Sequence, residues 1–270
     1  MKIGKENGLM FAGVAALALA FAITPANAGL TAYWSFDVDF EEEIVTTTSH
    51  SREDWAGVPT IGPVGKFGNA VQSGSSGNGN TTVGYQSFDI VPAVLDNTAG
   101  TIEAWVNPNN AGTSFQMIAG SAVNGLWTNG IQLYMDPAKN IQAQITADGG
   151  GTRDWLEPTS GNAALDVGQW NHVAVVWSAT QIRLYANGNL ADSQPRDVGP
   201  WVADDNYFWV AGVDPGGGRG LDGGVDDVAV WNEERYVGSS YAVPTAPVPE
   251  PMSMLLLAAG GTLLRLRRRS

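Results

Sequence analysis

The stretch His172-Val173-Ala174-Val175-Val176-Trp177-Ser178-Ala179-Thr180-Gln181-Ile182-Arg183-Leu184-Tyr185-Ala186-Asn187-Gly188 decides the fold class. Two runs rich in β-branched and aromatic residues flank a short polar break. Asn187-Gly188 then supplies the dipeptide that best tolerates the positive φ angles of a type I′ turn. Three antiparallel strands in fixed register are expected. The same grammar continues between Leu30 and Val237, where short Val/Ile/Trp/Tyr/Phe runs are cut by turn clusters such as Asp148-Gly149-Gly150-Gly151 and Pro215-Gly216-Gly217-Gly218. No stretch holds a helical period for long, so an all-β domain is predicted.

Four blocks lie in an ordered series: Tyr33-Trp34-Ser35-Phe36-Asp37, Gly65-Lys66-Phe67-Gly68-Asn69-Ala70, Gly100-Thr101-Ile102-Glu103-Ala104-Trp105-Val106, and Gly168-Gln169-Trp170-Asn171-His172-Val173-Ala174 through Gly188. A fifth, Gly223-Gly224-Val225-Asp226-Asp227-Val228-Ala229-Val230-Trp231, closes the domain. This series resembles the LamG-like, concanavalin A-like jelly rolls, which implies a β-sandwich of two antiparallel sheets over residues 29–237. Period 2 places Ile102, Ala104 and Val106 on one face and Thr101, Glu103 and Trp105 on the other, half-exposed face. In the closing strand it places Val225, Asp227, Ala229 and Trp231 together, opposite Asp226, Val228 and Val230.

The two ends read as addresses, each an apolar helix flanking the sandwich. Lys2 and Lys5 precede an apolar stretch from Leu9 to Ile23, and Ala26-Asn27-Ala28 puts small residues where a signal peptidase reads. Residues 1–28 are therefore expected to be a signal peptide cleaved after Ala28. Residues 238–248 are poor in apolar content and are expected to form a linker. At 249–270 come Pro249-Glu250-Pro251 after Val248, a 13-residue apolar run from Met252 to Leu264, and Arg265, Arg267, Arg268 and Arg269. A stable membrane anchor wants about 20 apolar residues. This order resembles the PEP-CTERM sorting signal. The resemblance implies transient inner-membrane insertion, cutting by an exosortase, and delivery outside the cell or to the surface of a Gram-negative-type bacterium.

Residues 29–251 keep 8 of the 14 Lys and Arg and 26 of the 27 Asp and Glu, a net charge of −18. Such a surface repels nucleic acid and anionic lipid but can hold divalent cations. The chain has no cysteine, so no disulfide staples the fold and stability must come from a core or a bound metal. In the resembled fold a structural calcium often joins the first and last strands; the matching positions are Asp37 and Asp226, with Asp227 as the alternative.

Ten tryptophans exceed what scaffolding needs. Trp55, Trp127, Trp155 and Trp201 lie within two residues of Gly, Asp, Asn or Pro and are expected in loops or at the rim, where an aromatic face beside amides and carboxylates suits a sugar. No Glu-x-Asp-x-Glu run, Gly-x-Ser-x-Gly elbow or His pair supports catalysis, and Glu103 stands alone on its strand face. A non-catalytic carbohydrate-binding protein of an extracellular polysaccharide matrix is the leading expectation. A structural or adhesive protein binding other proteins is the alternative, and a diverged polysaccharide-active enzyme the third.

Overall fold

The computed structural model describes residues 29–37, 44–45, 52–53, 60–62, 64–73, 86–89, 95–112, 114–123, 130–147, 152–158, 161–199, 206–212 and 219–248. The signal segment with Ala26 and Ala28, the sorting residues Pro249, Glu250, Pro251, Arg265, Arg267, Arg268 and Arg269, and Trp55, Trp127 and Trp201 lie outside them.

The described strands form two antiparallel sheets. Across the nine-stranded sheet run β14 (Asn189–Pro195), β13 (Gln181–Ala186), β12 (Asn171–Trp177), β7 (Gly100–Pro108), β16 (Gly223–Trp231), β1 (Leu30–Trp34) and β2 (Ile44–Val45). In the same sheet β5 (Ala70–Ser73) also pairs with β16, and β4 (Thr60–Gly62) pairs with β5. The seven-stranded sheet runs β11 (Thr152–Leu156), β10 (Ile141–Ala147), β9 (Gly130–Met135), β8 (Gln116–Val123), β15 (Asn206–Val210), β6 (Gln86–Asp89) and β3 (Arg52–Glu53). The hairpin turn falls at Asn187 and Gly188, whose φ angles are 48° and 81°.

One core lies between the sheets. Ile102, Ala104, Val106, Val173 and Val175 meet Ile118, Ile131, Leu133, Ile141, Ile145 and Phe208 there. Trp34 stacks on Phe208 at 5.0 Å and 7°, tying the first strand to the opposite sheet. Burying such large side chains contributes on the order of 2 kcal/mol each, enough to hold a sandwich without disulfides.

The closing strand departs from simple alternation. Asp227 has φ 46° and the register of β16 on β7 shifts between Asp226 and Ala229, a bulge that adds a residue and reverses the phase. Val225, Val228 and Val230 therefore share the core, while Ala229 and Trp231 join Leu30 and Tyr33 on the outer side.

The outer side of the nine-stranded sheet is not open either. Residues 232–248, which include the expected linker, lie along it as a strap. Leu190 N–H donates to Ser239 O at 2.9 Å and Tyr241 N–H to Gly188 O at 2.8 Å. Tyr241 stacks on Tyr236 at 3.7 Å, and Val248 packs against the Leu30, Tyr33, Ala229 and Trp231 cluster. Glu103 and Trp105, expected half-exposed, are consequently buried.

Candidate functional site

Strict alternation in β9 and β10 builds the first candidate site. Ile131, Leu133 and Met135 enter the core, as do Ile141, Ala143 and Ile145, so Gln132, Tyr134, Gln142, Gln144 and Thr146 all take the outer face of the seven-stranded sheet. Register then lines up a row across five strands: Trp155 opposite Gln144, Gln144 opposite Gln132, Gln132 opposite Gly120, and Gly120 opposite Trp209. Four strand spacings separate the two tryptophans, about 19 Å.

Amides and rings in this face are bonded to one another. Gln144 Nε2 donates to Gln132 Oε1, Gln142 Nε2 to Asp136 Oδ2 at 2.9 Å, and Trp155 Nε1 to Gln142 Oε1 at 3.2 Å. Tyr134 and Phe115 set their edges against Trp155, each at 6.4 Å between ring centres. Burial first, with the Glu157 charge next, pushes the Tyr134 phenol far up, so it stays protonated. Burial pulls the nearby Arg219 down to about 10.

Access runs from the β11 edge. Arg153 is exposed and Trp155 half-buried, whereas Gln144 and Gln132 are each 1 % exposed. Opposite Arg153 sits Thr146, whose buried Oγ1 finds no hydrogen-bond partner among the described residues. A hydroxyl left so costs roughly 1–3 kcal/mol, which a ligand hydroxyl or a water would recover. Trp155 was expected in a loop or at the rim; it lies instead in an edge strand, because Asp154 and Leu156 turn inward and leave the indole on the outer face.

The predicted metal ligands separate into two places. The loop from Gly65 to Asn69 wraps Asp37 and Asp226: Lys66 and Phe67 N–H donate to Asp226 Oδ2 at 2.6 and 3.0 Å, and Asn69 N–H to Asp37 Oδ1 at 2.8 Å. Side chains have been cleared from this cradle. A Cβ on Gly68, at φ 82°, would fall 2.0 Å from Asp37 Oδ1, and one on Gly65 would fall 2.8 Å from Asp226 Oδ2. Burial above all, with the Asp37 charge adding to it, pushes Asp226 up to about 7 against the pull of three backbone N–H donors. Two adjacent carboxylates in a Cβ-free cradle fit a cation. Among the described residues no third acidic or histidine side chain completes the set, so backbone oxygens and water would supply most of calcium's shell. Asp227, the alternative ligand, faces elsewhere: the bulge turns it to accept the Tyr33 hydroxyl.

A third constellation escaped sequence reading. Beneath the strap, Glu103 accepts Trp231 Nε1–H at 2.8 Å and the Tyr236 hydroxyl, with His172 Nε2 at 3.5 Å. His172 Nδ1 meets the Tyr241 hydroxyl. Burial, with the Arg235 and Lys66 charges, pulls His172 down to about 3, so the imidazole is neutral. Glu103, Trp105, His172 and Asp227 floor a small cavity roofed by Pro244, Ala246 and Val248. Glu103 is thus the hub of a buried network. The signal lay in Trp105 standing opposite His172 across β7 and β12, and in Tyr236 and Tyr241 beyond the last strand.

The two packed antiparallel sheets define a lectin-like β-sandwich. The chain belongs to the concanavalin A-like lectin/glucanases superfamily, whose family model matches residues 79–237. Among solved structures it is similar to domain 4 of an extracellular arabinanase from Geobacillus stearothermophilus, in complex with arabinotriose, at 16 % identity and TM-score 0.56, covering 76 % of this chain and 93 % of that one. It is also similar to the botulinum neurotoxin serotype D binding domain, at 14 % identity and TM-score 0.54 over 77 % of this chain. The binding domain of botulinum neurotoxin DC in complex with SialylT gives 11 % identity and TM-score 0.56 over 86 % of this chain. The chain spans about half the length of these toxin domains, 49 % and 52 %. No curated protein sequence matches it.

Proposed function

We propose that this chain is an exported carbohydrate-binding protein that engages polysaccharide at the β11 end of the amide and aromatic face, without catalysis. The observation that carries the reading is the half-buried Trp155 with exposed Arg153 over its ring at the open end, backed by the buried amides Gln144 and Gln132 of the same row. A sugar presents an apolar C–H face that stacks on an indole and hydroxyls that exchange hydrogen bonds with amides. Arabinotriose in complex with the similar arabinanase domain supports a glycan ligand. Glu103 supports binding over hydrolysis, because both its oxygens already accept donors beneath the strap.

The C-terminal sorting pattern supplies the setting. Signal peptidase and exosortase would act during export, and the released domain would join an extracellular polysaccharide matrix. Calcium held by Asp37 and Asp226 would clamp the 65–69 loop to the first and last strands. A glycan array probed with the purified sandwich and its Trp155→Ala variant tests the binding function. Retention on glycans that the variant loses supports it; an empty array beside capture of matrix proteins favours the adhesive alternative.

A further inference from the structure

The strap is held unevenly along its length. Tyr241 is anchored by its N–H on Gly188 O, its hydroxyl at His172 and its stack on Tyr236. Upstream, the Tyr185 hydroxyl reaches Tyr236 O at 3.1 Å and Gly238 O at 2.8 Å. Beyond Tyr241 the grip changes character. Among the described residues, no hydrogen bond joins 242–248 to the sandwich; Pro244 and Pro247 have no N–H to offer, and contact is made by Pro244 and Ala246 over the cavity and by half-buried Val248 on the Tyr33 and Trp231 cluster. The segment is therefore a chain fixed at one end and seated by apolar contact at the other.

The Val248 contact sits close to the apolar tail. Only Pro249, Glu250 and Pro251 separate it from the run that starts at Met252. Four residues reach at most about 14 Å, whereas the eleven from Tyr241 to Met252 reach about 38 Å.

We propose that residues 242–248 are a releasable strap, pivoting on Tyr241, which sets how far the sandwich stands from a membrane that holds the apolar tail. Seated, the strap keeps the domain against the bilayer. Released, it lengthens the leash by about 24 Å. This rests on the membrane-seeking reading of the tail.

The absence of cysteine allows a clean test on residues 29–270, the chain left once the expected signal segment is removed. A donor dye is placed through Val64→Cys, a site 69 % exposed, and the protein is reconstituted in phosphatidylethanolamine and phosphatidylglycerol vesicles carrying an acceptor-labelled lipid. Energy transfer is expected to be high with the wild-type strap, to fall at least twofold in Val248→Gly, and to return in Val248→Ile. Transfer in Val248→Gly equal to wild type, with both proteins floating with the vesicles and melting alike, would overturn the proposal. Failure of the wild-type chain to float would overturn the tail reading beneath it instead.

Discussion

The guanidinium of Arg153 lies 4.1 Å from the ring centre of Trp155, two residues away on the same face of β11. A cation held over an indole steadies the ring at an edge where few neighbours crowd it, an interaction worth about 0.5–1 kcal/mol when exposed. Arg153→Ala is therefore expected to weaken glycan retention a few-fold and to change stability by less than about 0.5 kcal/mol. Affinity electrophoresis beside a urea melt separates the two effects.

Calcium should act through one pair of carboxylates. At a hundredfold excess over Kd a ligand specific to the native state adds about 2.7 kcal/mol, or roughly 5–10 °C for a domain of this size. Chelator is expected to remove that gain from the wild type and to change nothing in Asp37→Ala or Asp226→Ala. Asp227→Ala should keep the difference, since its carboxylate serves Tyr33. Identical wild-type melts in calcium and in chelator would dismiss the clamp.

The pH dependence of stability should reflect opposed titrations. Between about 3 and 6.5 the unfolded chain takes up a proton that native His172 refuses, so this group makes stability rise with pH and its contribution is lost on acidification. In chelator, with no cation beside it, Asp226 works the other way. From 3.8 to about 7 the native state keeps a proton that the unfolded state releases, so stability falls as pH rises. Glu103, raised chiefly by burial, acts in the same sense as Asp226. Relative to wild type, His172→Gln should steepen the fall of urea midpoints between pH 4 and 7, and Asp226→Asn should flatten it. Parallel profiles would contradict both assignments.

Glu103→Ala is expected to cost roughly 3 kcal/mol, because Trp231 Nε1 and the Tyr236 hydroxyl lose their acceptor in a buried site. Glu103→Gln retains an acceptor and should cost about half as much. Hydrogen exchange adds the local readout: the Tyr241 and Leu190 amides, which bond strap to sheet, should lose protection in Glu103→Ala before the β12 amides do.

Sorting has a simple readout. Mass spectrometry of the secreted protein should place the C-terminus between Pro249 and Met252, with Arg265 to Arg269 gone. An extracellular product still carrying those arginines would contradict the tail reading.

How much of the fold is legible in the sequence depends on how local each signal is. Asn187-Gly188 and the alternating strand of Ile102, Ala104 and Val106 announce themselves within a few residues, and both lie where the pattern put them. The bulge at Asp227 did not, because a backbone dihedral decides it, and it moved Val225 to the core and Asp226 to the outer side, opposite the faces that alternation assigns. The amide row crosses the consecutive strands β9, β10 and β11 and depends on their mutual register, although Gln142-Ala143-Gln144 and Gln132-Leu133-Tyr134 already carry its alternation. The strap was hidden by composition. Ser and Pro read as a linker, while Tyr236, Tyr241 and Val248 do the docking through contacts with residues far upstream.

Calorimetric titration of the wild-type sandwich and of Trp155→Ala, against arabino-oligosaccharides and against the host's own exopolysaccharide, tests the binding reading most directly. The expected result is saturable heat with the wild type and at least tenfold weaker binding in the variant, the equivalent of about 1.4 kcal/mol of lost stacking, with the variant still folded and melting cooperatively. Absence of heat with every glycan, or equal affinity in wild type and Trp155→Ala, would contradict carbohydrate binding at this face.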